Sequence, residues 1–123
     1  MPHVVLEIPR PLAAEKNLQN LLSDLHQKIG AVPSVQLSDI KTRIHLIDYF
    51  RTADGTPAAG AFVHARVIQT KPRSPENQKL MSETVLSVLE EFFLKPKPNH
   101  TLQLCVETTI LPPGSYLKSI HTP

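Results

Sequence analysis

Four stretches of the chain carry strand-like patterning and two carry helical patterning. The run HVVLEI at 3–8 is short, β-branched and mostly apolar, which predicts a buried strand stopped by the PRP that follows. Over 13–29, Leu18, Leu21, Leu22, Leu25 and Ile29 recur at helical spacing, and Gly30 follows as a natural stop. IKTRIHLIDYF at 40–50 alternates. It puts Lys41, Arg43, His45, Ile47 and Tyr49 on one face and Thr42, Ile44, Leu46, Asp48 and Phe50 on the other. ADGT at 53–56 reads as a turn, and Pro57 with the small residues after it extends that turn into a loop.

GAFVHARVIQT at 60–70 predicts a third strand. Ser74 is placed as a helix N-cap, with Pro75 at the first helical position and Glu76 in the first turn. Met81, Val85, Val88, Leu89 and Phe92 form that helix's apolar stripe, which KPKPNH at 95–100 ends. TLQLCVETTIL at 101–111 is the fourth predicted strand, and 112–123 form a terminal arm.

The order strand, helix, strand, strand, helix, strand divides the chain into two βαβ halves of similar length, about 2–58 and 59–111. The expectation is an α+β fold: one domain over 1–123, with a four-stranded mixed sheet and two helices on one face. The other face is left uncovered. In the fourth strand Leu102, Leu104 and Val106 face one way and Gln103, Cys105 and Glu107 the other, and neither set is strongly polar. Part of the second face is therefore expected to pack against another copy of the chain.

A chain of 123 residues builds one core and not two. The net charge of +2, spread along the chain, argues against a nucleic-acid partner. Cys105 is the single cysteine, so neither an intrachain disulfide nor a cysteine-rich zinc module is available, and within an apolar run it reads as an inert thiol. No apolar stretch approaches the roughly 20 residues of a membrane span, and no signal-like segment precedes the first strand; the expected location is the cytoplasm. His45 and His64 lie in strands, but no histidine pair has compact ligand spacing, and no metal site is expected. His3 reads as a packing residue, Glu7 and Glu107 as satisfied rim carboxylates.

Pro2 stands directly behind Met1 and at the mouth of the first strand. On position alone it is a rigid strand start. If Met1 is removed, its nitrogen becomes a secondary amine, a group able to carry a proton. Burial and nearby cations penalise the ammonium form and bring such an amine toward neutrality. Lys41, Arg43 and Arg73 are the plausible neighbours. Lys41 and Arg43 also read as a solvated strand face. Arg73 lies just ahead of a helix N-terminus, where a purely structural cation is disfavoured by the dipole and an anion site is favoured.

MPH before a strand, IKTRIHLIDYF, ADGTPAAGAFVH and KPRSPENQ, in this order and spacing, resemble the tautomerase superfamily, and within it the 5-carboxymethyl-2-hydroxymuconate Δ-isomerases of homoprotocatechuate catabolism. The likeness covers roughly residues 2 to 107 and is weakest in the terminal arm. It implies a homotrimer of tandem βαβ units and a cofactor-free isomerase. The amino-terminal proline, here Pro2, would be general acid/base, and cations at Lys41, Arg43 and Arg73 would grip substrate carboxylates. Lys41 departs from the pattern, because arginine is usual there. Lysine is a point charge, whereas arginine holds a carboxylate through two parallel bonds.

Two functions compete on these observations. One is a 1,3- or 1,5-proton transfer on an unsaturated hydroxy or oxo di- or tricarboxylate, with 5-carboxymethyl-2-hydroxymuconate as the leading substrate. The other is a non-catalytic, oligomeric ligand- or protein-binding module on the same fold. Lys41 favours the second, and Pro2, Arg43 and Arg73 together favour the first.

Overall fold

The computed structural model describes residues 2–123. The first strand, β1 (Pro2–Pro9), buries Val4, Leu6 and Ile8 completely and turns His3, Val5 and Glu7 to the opposite face. Each such fully buried aliphatic side chain contributes about 1.5–3 kcal/mol relative to exposure. Two further strands, β2 (Lys41–Ile47) and β3 (Ala61–Gln69), flank it, and β4 (Leu102–Ile110) completes a sheet of order β2-β1-β3-β4.

Pairing is parallel for β1 with β2 and for β3 with β4, and antiparallel for β1 with β3. Each βαβ half is thus a parallel pair, and the halves meet head to tail at the centre. One consequence governs the rest of the molecule. The starts of β1 and β2 and the ends of β3 and β4 share one end of the sheet.

The helix expected over 13–29 starts later than 13 and is preceded by a separate short turn. A single turn, α1 (Arg10–Ala13), follows β1 directly, and the main helix, α2 (Leu18–Gly30), begins only after Glu15, whose φ is +62°. Asn17 starts α2 by accepting a hydrogen bond from the Asn20 backbone N–H at 3.2 Å, a bond that an interior helical residue would not make. The apolar spacing was nonetheless sound, since Leu21, Leu25 and Ile29 are completely buried. The third helix, α3 (Pro75–Phe93), starts as expected, with the Ser74 hydroxyl accepting from the Asn77 N–H at 3.2 Å. Met81, Val85, Val88 and Leu89 face the core, where Phe93 is more deeply buried than the expected Phe92.

β2 ends at Ile47, short of the expected 50, because its register partner Pro9 is the last residue of β1 and no backbone remains to pair with. Asp48 instead meets the Arg10 guanidinium at 2.7 Å. β3 starts where Gly60 holds φ at +73°, and a Cβ there would lie 1.7 Å from the Thr101 carbonyl oxygen. Glycine is required at that point for the two strands to close.

The uncovered sheet face is more polar than expected. Register and alternation place Val5, Ile47, Phe62, Ile68 and Cys105 among His3, Glu7, Lys41, Arg43, His45, His64, Arg66 and Glu107 on that face. The Glu107 carboxylate lies 2.8 Å from His64 Nε2 and 3.4 Å from Arg66 Nε. The hydrogen bond from Arg66 is the largest effect holding the Glu107 carboxyl below its ordinary range. A face of this kind associates through charge matching more than through apolar burial. Among the described residues no helix is long and apolar enough to cross a membrane.

Candidate active site

The shared end of the sheet gathers Pro2, Lys41 and Gln69, with Arg73 four residues beyond β3. Pro2 opens β1 and is buried on the helix-covered face with Val4 and Leu6. Its antiparallel partner is Gln69, the last residue of β3. His3 follows on the open face, paired in register with Lys41.

Arg73 is held by its own surroundings. The Gln78 side-chain amide donates to the Arg73 carbonyl at 2.9 Å, and Ser74 caps α3 immediately afterwards. Arg73 thus immediately precedes the N-cap of a 19-residue helix. Its Nε is buried and has no partner among the described residues. An arginine with a buried, unused donor, one residue ahead of a helix N-cap and so near the positive end of its dipole, is suited to a carboxylate.

Arg43 lies one step further along the open face than Lys41. Its Nη1 is 3.3 Å from His3 Nδ1, and His3 Nε2 is 3.0 Å from the Tyr116 hydroxyl. Burial first, then the charges of Arg43 and Lys41, pull the His3 pKa below its ordinary value. Among the described residues none of Lys41, Arg43 and Arg73 forms an ion pair with a carboxylate. All three charges are available to an anionic ligand.

The four residues singled out from the sequence thus fall at or next to one end of the sheet, but not on one face. The Pro2 ring is turned to the covered side, whereas Lys41 and Arg43 project from the open side. Two features were not foreseen. One is Gln69, whose parity with Val63, Ala65 and Val67 marked a polar residue at a core position. The other is the terminal arm, which reaches this end through Tyr116 and through Lys118, 3.3 Å from Asp39. Nothing in the arm's patterning signalled that placement.

The architecture is that of the tautomerases. A 5-carboxymethyl-2-hydroxymuconate isomerase from Deinococcus radiodurans R1 superposes with a TM-score of 0.85 at 24% identity, covering 98% of this chain and 90% of that one. A fused 4-OT wild-type asymmetric trimer superposes with a TM-score of 0.63 at 12% identity, over 88% of this chain and 86% of that one. Residues 2–122 match the family model of 5-carboxymethyl-2-hydroxymuconate isomerase, and the chain belongs to that family. The 5-carboxymethyl-2-hydroxymuconate Δ-isomerase of Escherichia coli is 26% identical over 113 residues, which are 92% of this chain and 89% of that protein. The chain is an isomerase.

Proposed function

We propose that this isomerase converts 5-carboxymethyl-2-hydroxymuconate by moving one proton from oxygen to carbon, with the amine of Pro2, freed by loss of Met1, as general acid/base. The observation that carries this reading is that Pro2 pairs with Gln69 at the end of the sheet from which the chain runs on through Arg73 into α3. Family membership supports the substrate.

The chemistry follows from the groups. The free amine accepts the proton of the 2-hydroxyl as that oxygen becomes a carbonyl, and the conjugated double bonds shift along the chain. The ammonium then returns the proton to carbon, at the near position for a 1,3-transfer or the far one for a 1,5-transfer. Such a base contributes about 10²- to 10⁴-fold in rate. Arg73, Lys41 and Arg43 hold carboxylates and stabilise the negative charge that develops on oxygen. No step draws on a cofactor.

We propose further that the chain is one domain, with halves 2–58 and 59–111 and an arm 112–123, and that it works as a cytoplasmic homotrimer. The uncovered, charged sheet face and the trimeric relative support the assembly. Light scattering should give three times the 13.7 kDa chain mass, and a stable monomer at micromolar concentration would contradict it.

The substrate reading is tested by following the ultraviolet absorbance of dienols with one, two and three carboxylates. 5-Carboxymethyl-2-hydroxymuconate should react fastest. A rate no better than buffer for every dienol would contradict the proposal.

A further inference from the structure

Gln69 is the anomaly of the core. It is completely buried, yet neither Nε2 nor Oε1 of its carboxamide has a hydrogen-bond partner among the described residues. Its neighbours across the sheet are Pro2 on β1 and Ile110 on β4, and Val67 precedes it on the same face. None offers a polar side-chain atom. Only its backbone is satisfied on the acceptor side, where the carbonyl takes the Leu111 N–H at 2.8 Å. A buried amide left this way carries its full desolvation cost, and an aliphatic side chain would fill the same position without it.

The placement gives that cost a purpose. Facing cross-strand residues have Cβ atoms about 4.5–5.5 Å apart, so the Gln69 side chain starts beside the Pro2 ring. Four residues on, Arg73 Nε is likewise buried without a partner. The unused atoms Gln69 Nε2 and Arg73 Nε are both N–H donors, and both lie at the end of the sheet where α3 presents its N-terminus. The oxygens of a carboxylate accept from donors of this kind.

We propose that the Gln69 carboxamide is a substrate-contacting group of this site, donating through Nε2 to a carboxylate oxygen of the bound acid; the inference rests on the reading of the site given above. Gln69 thereby sets specificity. A site built to hydrogen-bond its ligand discriminates far more sharply than an apolar pocket does, because a ligand that lacks the matching oxygen leaves a buried donor unpaired.

The test is Gln69→Leu, with Gln69→Met as a second apolar variant should the first not fold, read by kinetics and by thermal unfolding with and without adipate, an inert dicarboxylate. The expected variant has an unliganded Tm equal to or above that of the parent. Its KM for 5-carboxymethyl-2-hydroxymuconate rises about tenfold while kcat stays within about threefold. The rise in Tm that adipate gives the parent disappears. An unchanged KM, or an adipate effect that is the same in both proteins or absent from both, overturns the proposal. Loss of the adipate effect in a variant of a parent that does not isomerise the dienol leaves Gln69 as a carboxylate contact and removes the substrate reading instead.

Discussion

Arg43 directs a guanidinium N–H at Nδ1 of His3 from 3.3 Å, and so decides which imidazole nitrogen carries the proton. Arginine only donates, so Nδ1 accepts and the neutral ring bears its hydrogen on Nε2. That N–H donates to the Tyr116 hydroxyl at 3.0 Å, with the two rings edge to face at 5.4 Å. The terminal arm is thereby fastened to the start of β1, one residue from Pro2. Lys118 fastens it a second time at Asp39, just ahead of β2.

Acid should loosen this fastening. Burial and the neighbouring cations depress the His3 pKa in the folded protein below its ordinary 6.5. The unfolded chain therefore binds the proton first, and the native state loses stability as pH falls below that value. The loss is complete once pH passes below the folded-state pKa. A proton on Nδ1 would face the Arg43 guanidinium and end the contact. The Tm of the parent should fall more steeply between about pH 7 and about pH 5 than that of His3→Gln. Parallel profiles in the two proteins would show that His3 is not the group responsible.

Arg73→Ala should act mainly on binding. Removing a partly buried guanidinium that pairs with a substrate carboxylate costs about 2–5 kcal/mol, seen as a raised KM. Arg73→Lys should recover little, because an ammonium replaces a planar fork with a point charge. Steady-state kinetics on the protein with circular dichroism as a folding control makes the comparison. A kcat/KM within about twofold of the parent would remove Arg73 from the site.

Lys41→Arg tests the position at which the resemblance to the isomerases leads one to expect an arginine. Lys41 is exposed at the start of β2 and has no ion pair among the described residues, so the longer side chain meets no obstacle within the strand pairing. A bidentate grip should raise kcat/KM for 5-carboxymethyl-2-hydroxymuconate. A lower value would mean that lysine is matched to a different acid.

The fold was legible because local and global preferences agree along most of the chain. The Ser74, Pro75, Glu76 start of α3 and the alternation of β3 each point to one conformation, and the structure adopts it. The boundaries that failed depend on distant partners. β2 stops at Ile47 because Pro9 stops, and the α1–α2 break reflects Asn17 outcompeting helix propagation. The polarity of the open face was underestimated because the fourth strand was weighed without the cations that β1, β2 and β3 bring beside it. Pro2, Lys41, Arg43 and Arg73 were visible as residue types in a pattern, whereas Gln69 acquires meaning only from its register with Pro2.

The Pro2 amine is the centre of the proposed chemistry, and blocking it is the most direct test. Two preparations verified by intact mass, one lacking Met1 and one retaining it, are compared for the rate at which 5-carboxymethyl-2-hydroxymuconate loses its ultraviolet absorbance. In the retained form the Pro2 nitrogen is an amide without basicity, and the rate should fall by about 10²- to 10⁴-fold while the fold persists. Equal rates in the two preparations would contradict a mechanism that runs through the Pro2 amine.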